Sequence, residues 1–329
     1  MVQLNYIHIA NYTTESGKTT NIKLSYQAFG KSLNDAPIVL VNHALTGNSE
    51  VIGENGWWND LIGDHKCIDT KNYCILAFNV PGNGFDNTKE SLIDNYKDFT
   101  ARDIAKIFTA ALKQLNIYQL FAVIGGSLGG GIAWEMAACK PNFIKHLIPI
   151  SADWKSTDWL IANCHIQDAI LNNSSQPLVD ARMHAMTLYR TPESFTHKFN
   201  RSKRSNNLFN TVSWLNYHGE KLNLRFNIKA YKLMNQLLKT IDITQNRGSF
   251  LEIASKITSH IHMVTINSDL FFKPEENWKT YEELKKIKGN VNIYEINSIH
   301  GHDGFLIEFE QLSNFLKPIF QSKKLKNVS

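Results

Sequence analysis

The 329-residue sequence predicts an α/β protein, with a mostly parallel β-sheet flanked by helices and a helical segment inserted into it. In residues 1–150 and 251–329, short apolar runs typical of buried strands alternate with segments of helical spacing. Residues 151–250 break this alternation, because they hold almost no run rich in β-formers and several amphipathic helical segments. We therefore expect a core domain made of 1–150 and 251–329 and a helical cap made of 151–250.

Seven segments are predicted to be strands. Each ends in turn residues or alternates apolar and polar residues with period two. They are 21–28, 37–42, 74–79, 120–124, 144–150, 261–266 and 291–295. Helices are predicted where apolar residues recur at helical spacing. These segments are 100–112, 128–139, 180–189, 227–240, 278–288 and a last one from about 303. Strands that alternate with helices favour parallel pairing, since parallel neighbours need a crossover connection.

The composition is that of a globular protein, with 43% hydrophobic and 20% charged residues, and it argues against disorder. The net charge of +5 is mild and is most visible in Arg201–Arg204 and Lys323–Lys326. We interpret both runs as solvated surface, with an anionic ligand such as a nucleotide phosphate as the less favoured alternative. No nucleic-acid-binding motif accompanies them, so no nucleic-acid partner is expected.

The cysteines and the first residues predict a cytoplasmic protein. The four cysteines show neither C-x-x-C spacing nor a metal pattern, which is typical of reduced thiols in the cytosol. The N-terminus lacks the basic and apolar regions of a signal peptide. No apolar run approaches the ~20 residues that span a bilayer. We therefore expect neither a membrane partner nor a bound metal.

The segment Gly125–Gly129 reads G-x-S-x-G and lies between a predicted strand and a predicted helix. In that context the pattern is the nucleophile elbow of the α/β-hydrolase fold, with Ser127 as nucleophile. Glycine is needed on both sides of the serine, because a Cβ at Gly125 or Gly129 would collide with neighbouring backbone. The alternative is a glycine-rich turn that serves packing alone. A phosphate-binding loop is excluded, because no G-K-[ST] follows.

An oxyanion hole needs a second backbone donor, usually from the loop after an earlier strand. The loop 43–47 follows the predicted strand 37–42. We predict the N–H groups of Leu45 and Leu128 as the two donors. His43 has no role as a base in this interpretation and is expected to fix the loop by hydrogen bonding.

The acid and the base of a triad on this fold follow the serine in that order. Asp269 comes directly after the predicted strand 261–266, at the end of the strand where α/β folds build their sites. His300 and His302 both follow the last strand, and position alone does not separate them. A metal site at this H-x-H pair is disfavoured, because no third ligand cluster is evident.

Seven stretches of the chain match one known family in the family's order. They are HALTG at 43–47, FTARD at 99–103, GGSLGG at 125–130, ARMHAMTLYRTPESF at 181–195, YHGEKLNLRF at 217–226, NSDLFFKPEE at 267–276 and GHDGFLIE at 301–308. In these stretches the chain resembles the homoserine O-acetyltransferases, acyl-CoA-dependent enzymes of methionine biosynthesis with the α/β-hydrolase fold. Because the matches extend through the cap, they are more specific than the serine elbow alone.

The resemblance implies that the base is His302, since Gly-His-Asp is the base motif of the family. The implied triad is Ser127, Asp269 and His302, with His300 outside it. The implied reaction is ping-pong transfer through an acyl-serine, with acetyl-CoA as donor substrate and no permanently bound cofactor. We also expect a homodimer formed through the helical cap.

The resemblance further implies that Arg182, Tyr189 and Asp303 hold the amino-acid acceptor. A free amino acid carries a carboxylate and an ammonium, so a site selecting it needs a fixed guanidinium and a fixed carboxylate. Without the resemblance, a cap salt bridge or a core tyrosine is the simpler interpretation of these residues.

The chain departs from the family at the compact loop 80–86, which leaves open the acyl donor and the route of CoA. Succinyl-CoA as donor and serine as acceptor are alternatives. So is a hydrolase with the same triad acting on esters or thioesters, and a non-catalytic binding protein is a further alternative.

Overall fold

The computed structural model describes residues 3–33 and 35–321, so the basic run Lys323–Lys326 lies outside the described residues. An eight-stranded sheet forms the centre of the described part. Its strands are β1 (Asn5–Thr13), β2 (Thr19–Gly30), β3 (Ile38–Asn42), β4 (Cys74–Phe78), β5 (Leu120–Gly126), β6 (Ile144–Ile150), β7 (His260–Ile266) and β8 (Val291–Ile296). Their order is β1-β2-β4-β3-β5-β6-β7-β8. β2 is antiparallel to β1 and β4, and the remaining pairs are parallel, which confirms the predicted mostly parallel sheet.

Helices flank this sheet and form the cap. The core helices are α1 (Ala101–Gln114), α2 (Leu128–Cys139), α8 (Phe250–Lys256), α9 (Pro274–Lys285) and α10 (Phe309–Phe320). The cap helices, inserted between β6 and β7, are α3 (Asp158–Asn173), α4 (Pro177–Tyr189), α5 (Pro192–Phe199), α6 (Asn210–Asn223) and α7 (Ile228–Lys239). Short 3₁₀ turns occur at Lys89–Ser91, Tyr96–Asp98 and Gly301–Leu306. None of the helices in the described residues is long and apolar enough to span a membrane.

The central parallel strands of the sheet are buried on both faces, as parallel strands are when helices cover them. All five residues of β3 are buried. Leu40 packs into the layer that contains α1 and α2, while Val39 and Val41 face the layer that contains α10. Because the five parallel pairs place their carboxyl ends at one edge, the segments that follow β3, β5, β7 and β8 meet at that edge.

Two sequence expectations differ from the structure. The last helix begins at Phe309 and not near Asp303, because residues Gly301–Leu306 form a 3₁₀ turn that starts at a glycine with φ of +65°. Strand β1 was not predicted. Only Ile7 of its nine residues is buried, and a register shift interrupts the strand after Ile9, so the alternation is weak. The basic run Arg201–Arg204 is exposed, as predicted.

Candidate active site

Ser127 occupies a strained turn between β5 and α2. Its backbone has φ of +56° and ψ of −125°, a conformation that costs an L-residue energy unless the surroundings enforce it. The Ser127 N–H donates to the Ile150 carbonyl over 2.9 Å, and its carbonyl accepts from Gly130 N–H at 2.9 Å and Gly131 N–H at 3.1 Å. The turn is therefore fixed by both the neighbouring strand and the following helix, and Ser127 is only 4% exposed.

The glycines around Ser127 are required by close approach of backbone. A Cβ built on Gly125 would lie 2.5 Å from the Gly129 carbonyl oxygen, and one on Gly129 would lie 2.8 Å from the Asn42 carbonyl carbon. Real Cβ atoms are not found so close to backbone. The steric prediction for both glycines is confirmed, and the elbow packs directly against the end of β3.

His302 and Asp269 form a buried pair at the same edge of the sheet. The Nδ1 atom of His302 lies 2.8 Å from Oδ2 of Asp269, and both side chains are almost completely buried. The other carboxylate oxygen accepts the N–H groups of Phe271 at 2.7 Å and Phe272 at 2.9 Å. Since an ionised carboxylate only accepts, Nδ1 carries the proton and Nε2 is left with its lone pair. His302, and not His300, meets Asp269.

Four aromatic rings surround His302. Their centroids lie 5.1 to 5.7 Å from the imidazole, and they belong to Tyr189, Phe271, Phe272 and Phe305. Phe305 also connects the base to the elbow, because a Cβ on Gly126 would lie only 2.5 Å from its ring. The residue before Ser127 and the imidazole of His302 thus both lie next to the Phe305 ring, and the rings around the base make its surroundings largely apolar.

The loop after β3 is held by His43. The His43 side chain is buried, and its Nε2 accepts the Val80 N–H over 2.9 Å. Nδ1 therefore carries the proton and donates to the Ala44 carbonyl at 2.8 Å. Burial lowers the pKa of His43 to about 4, so the ring is neutral at pH 7. The predicted role of His43 in fixing the loop is confirmed.

The two predicted oxyanion donors have free backbone N–H groups. Leu45 and Leu128 are both buried. No acceptor in residues 3–33 and 35–321 takes a hydrogen bond from either N–H. Buried N–H groups without a partner are rare and costly in proteins. Asn42 connects the two segments through a hydrogen bond from its amide nitrogen to the Gly129 carbonyl at 3.2 Å.

Arg182 and Tyr189 lie on one side of cap helix α4. The Arg182 guanidinium carbon is 5.6 Å from the centre of the Tyr189 ring, whose own centre is 5.5 Å from that of His302. Burial raises the pKa of Tyr189 well above its usual value of 10, so the phenol keeps its proton. Among the described residues no acceptor or acid pairs with the Arg182 guanidinium, which leaves its donors free.

Comparison with known proteins gives the family. A sequence profile described as the alpha/beta hydrolase fold matches residues 37–286. A homoserine O-acetyltransferase of Chloroherpeton thalassium is 33% identical over 92% of this chain and 85% of its own length. Another, of Symbiobacterium thermophilum, is 31% identical over 98% of this chain and 96% of its own length. The chain belongs to the homoserine O-acetyltransferase family.

Solved structures share this fold, but they include both an acetyltransferase and an esterase at nearly equal similarity. The crystal structure of homoserine O-acetyltransferase from Bacillus anthracis has a TM-score of 0.88 and 20% identity, covering 100% of this chain and 99% of that one. The crystal structure of esterase E22 has a TM-score of 0.86 and 19% identity, covering 97% of this chain and 100% of that one. At these identities the likeness concerns the fold alone.

In this member of the homoserine O-acetyltransferase family, sequence reasoning missed Arg190. The structure places its Nε 2.8 Å from Oδ2 of Asp303 and its Nη1 3.1 Å from Nδ1 of His300. Asp303 therefore meets a cap arginine that directly follows Tyr189, and His300 faces the cap. The only signal in the sequence is that Arg190 lies within the stretch at 181–195 that matches the family, because nothing local indicates an acid 113 residues away as its partner.

Proposed function

We propose that the protein transfers an acetyl group from acetyl-CoA to the hydroxyl of L-homoserine in methionine biosynthesis, giving O-acetyl-L-homoserine and CoA. One observation carries the choice of an amino-acid acceptor. The Arg182 guanidinium carbon lies 5.6 Å from the centre of the Tyr189 ring, which packs against His302, and Asp303 directly follows His302 in the chain. Opposite charges beside the base suit a substrate with a carboxylate and an ammonium.

In the first half-reaction, Nε2 of His302 accepts the proton of the Ser127 hydroxyl as its oxygen attacks the thioester carbonyl. The negative charge that develops on the carbonyl oxygen is stabilised by the N–H groups of Leu45 and Leu128. The carbon–sulfur bond then breaks, the CoA thiolate takes the proton from His302, and acetyl-Ser127 remains. Asp269 stabilises the transient imidazolium and keeps its orientation.

In the second half-reaction, homoserine binds with its carboxylate at Arg182 and its ammonium at Asp303. His302 accepts the proton of the homoserine hydroxyl, whose oxygen attacks the acetyl carbonyl of the acyl-enzyme. The bond between the acetyl carbon and the Ser127 oxygen breaks, and His302 returns the proton to the serine. The strained turn at Ser127 keeps the reacting oxygen in one place through both steps.

Transfer must outcompete water, which is far more concentrated than any amino acid. Positioning supplies effective molarities of ~10⁵–10⁸ M for well-oriented groups. The aromatic rings of Tyr189, Phe271, Phe272 and Phe305 around the imidazole favour this outcome, because they limit the space for water beside the base. Two of these rings, Phe271 and Phe272, follow Asp269 closely in sequence, and a third, Tyr189, comes from the cap.

The second candidate function is hydrolysis of esters or thioesters with the same three residues, since esterase E22 has a closely similar fold. A hydrolase has no need of a free guanidinium near the base. The unpaired donors of Arg182 among the described residues therefore favour transfer. Succinyl-CoA as donor and serine as acceptor remain variants of the same proposal.

The decisive experiment mixes the purified protein with acetyl-CoA or succinyl-CoA, with and without homoserine or serine. CoA release and product mass are followed together. We expect CoA release that depends on homoserine, with O-acetylhomoserine as product. CoA release that is independent of amino acids and yields only the free acid would establish hydrolysis instead.

We also propose that the protein is a homodimer formed through the cap. Tyr217 on α6 and Leu224, which directly follows that helix, are seven residues apart and share a side of it. They are 59% and 87% exposed. Large exposed apolar side chains on one face favour burial against a second copy. Sedimentation analysis should give a dimer for the wild type and a larger monomer fraction for Leu224→Asp.

A cytoplasmic location completes the proposal. All four cysteines are free thiols. Cys67, Cys74 and Cys164 are buried, and Cys139 is partly buried. Free thiols are the norm in compartments that keep cysteines reduced. Fractionation of cells that produce the protein, with detection by antibody, checks this location.

A further inference from the structure

A short segment of the cap, Tyr189–Ser194, which we name the cap bridge, contacts the turn that carries the base. Its Thr191 hydroxyl donates to the Ile299 carbonyl. Its Ser194 hydroxyl lies 3.0 Å from Nδ1 of His300. The cap bridge therefore contacts the residues immediately before His302, although more than a hundred residues separate the two segments in sequence.

The fit between the cap bridge and the turn leaves no space for a side chain at Gly301. Gly301 has φ of +65°, and a Cβ there would lie 2.9 Å from the Tyr189 carbonyl oxygen and 3.2 Å from Cγ2 of Thr191. Backbone therefore packs on backbone at this point. A small displacement of the cap bridge would be transmitted to the turn directly.

Arg190 connects the two segments at the centre of this contact. Its Nε donates to Oδ2 of Asp303 over 2.8 Å, and its Nη1 lies 3.1 Å from Nδ1 of His300. Burial lowers the pKa of His300, and the Arg190 charge contributes in the same direction. His300 is therefore neutral at pH 7 and accepts the guanidinium proton through Nδ1. Arg190 is thus anchored at two points, which fixes the plane of its guanidinium.

The contact with Arg190 involves only one of the two carboxylate oxygens of Asp303. Arg190 binds Oδ2, and no other donor in residues 3–33 and 35–321 binds Oδ1. The ion pair is partly buried, with the Arg190 and Asp303 side chains 21% and 17% exposed. A carboxylate with one oxygen fixed and the other open has a defined orientation and retains capacity for a further cation.

We infer that Arg190 is a positioning residue that determines how the acyl-serine is divided between an amino acid and water. It fixes Asp303 so that the free oxygen receives the acceptor ammonium, and it holds the cap bridge on the turn that carries His302. This inference rests on the proposed acyl transfer. When the contact is lost, the acceptor is bound poorly and water reaches the acyl-enzyme.

The competing reaction is hydrolysis of acetyl-Ser127, which uses the same residues and needs no reactant other than water. His302 accepts a proton from water as the water oxygen forms a bond to the acetyl carbon. The bond between that carbon and the Ser127 oxygen breaks, and His302 returns the proton to the serine. The product is acetic acid in place of O-acetylhomoserine, so the ratio of the two products measures the partition.

The test compares Arg190→Ala and Arg190→Lys with the wild type, using acetyl-CoA and homoserine. In Arg190→Ala the burst of CoA release without acceptor should change less than about twofold, because Asp269 still holds His302 and Thr191 still binds the turn through Ile299. The KM for homoserine should rise roughly 10- to 100-fold, as expected for a lost charge-assisted contact. The ratio of acetate to O-acetylhomoserine should rise roughly tenfold, and Arg190→Lys should recover part of both changes.

The matched control is Arg204→Ala, since Arg204 is an exposed cap arginine that donates to Ser213 of the same cap over 3.2 Å. It should leave the burst, the KM and the product ratio unchanged. If Arg190→Ala does not fold, as judged by circular dichroism, His300→Ala carries the test. It removes one of the two anchors of Arg190 and should shift the product ratio in the same direction by a smaller factor.

The outcomes separate this inference from the proposed function. A wild-type protein that acetylates no amino acid overturns the function. A wild-type transferase whose Arg190 variants keep the KM and the product ratio overturns the role of Arg190 alone. A rise in the KM for acetyl-CoA with unchanged homoserine kinetics also overturns it, because Arg190 would then act on the donor.

Discussion

The core and the cap contribute side chains of different character to one site. In the core, Asp269 accepts three hydrogen bonds, the Ser127 backbone makes three, and both nitrogens of His43 are occupied. In the cap, Arg182 contacts only a ring within the described residues and Arg190 remains partly exposed, as does its core partner Asp303. Groups that are already satisfied are rigid, whereas groups with spare donors and acceptors await a ligand. We therefore assign acyl chemistry to the core, and choice of acceptor to the cap together with Asp303 of the core turn that faces it.

The largest effect is expected in the core, at Ser127. Ser127→Ala removes the nucleophile and should lower kcat about 10⁴- to 10⁶-fold. Intact-protein mass spectrometry after mixing with acetyl-CoA should show an acetyl adduct on the wild type and none on the variant. Ser255→Ala changes an exposed serine of α8 and serves as control. An adduct that persists in Ser127→Ala would refute the assignment.

Asp269→Asn should cause a smaller but still large loss of kcat. The hydrogen bonds of Asp269 indicate how the new amide would orient beside His302. Its oxygen would accept the Phe271 and Phe272 N–H groups, so its NH₂ would face His302. Nδ1 would then have to accept, the proton would move to Nε2, and the base would lose its lone pair. We expect kcat to fall about 10⁴-fold, as for the wrong tautomer in other triads, with KM little changed.

Asp153→Asn provides the matched control, since Asp153 is another buried carboxylate that follows a strand of the sheet. Its partners are the Trp154 N–H at 2.8 Å and the Thr280 hydroxyl at 3.0 Å. This variant should keep kcat within about twofold. Equal losses in the two variants would mean that buried carboxylates at this edge serve stability and that Asp269 has no special role.

Where the cap meets the core, Arg182→Ala in α4 and Asp303→Ala in the turn 301–306 should act on the acceptor and spare the acyl-enzyme. Each loses one charge-assisted contact, so the KM for homoserine should rise roughly 10- to 100-fold while the burst of CoA release stays within about twofold. Steady-state kinetics and stopped-flow detection of free thiol measure the two quantities. A fall in the burst that equals the loss in turnover would remove the distinction between core and cap.

The smallest expected effect concerns stability and the core alone. Burial raises the pKa of Asp153 from 3.8 to about 7, so the folded protein binds this proton more tightly than the unfolded chain. The associated stability is fully present below about pH 4 and is lost as the pH rises through about 7. Asp153→Asn has no such proton, so its Tm should fall less than that of the wild type between pH 5 and 8. A few degrees are expected, and parallel Tm profiles would contradict the raised pKa.

The sequence predicted those parts of the fold and site that depend on local patterns. Strand β6 and helix α2 have the predicted bounds, because a short apolar run and a glycine elbow are both local signals. Strand β1 was missed, since an edge strand with one buried residue has little periodicity. The last helix was placed too early because the 3₁₀ turn that precedes it begins at a positive-φ glycine.

Side-chain contacts between distant segments could not be predicted in this way. The pair of His302 and Asp269 follows from strand order in the sheet, and the family resemblance was needed to choose between His300 and His302. The ion pair of Arg190 with Asp303 follows from neither, because it depends on how the end of α4 packs on the turn after β8. Local spacing carries no information on that packing.

The contact between Arg190 and Asp303 also couples two equilibria. Because Asp303 is shared by the cap bridge and by the proposed ammonium site, the contact with Arg190 and the binding of the acceptor use the same carboxylate. Thermodynamic linkage requires that each favours or opposes the other by the same free energy. Homoserine should therefore change amide hydrogen exchange in α4 as well as in the turn at 301–306. The acceptor would thus act as an effector of the cap that selects it.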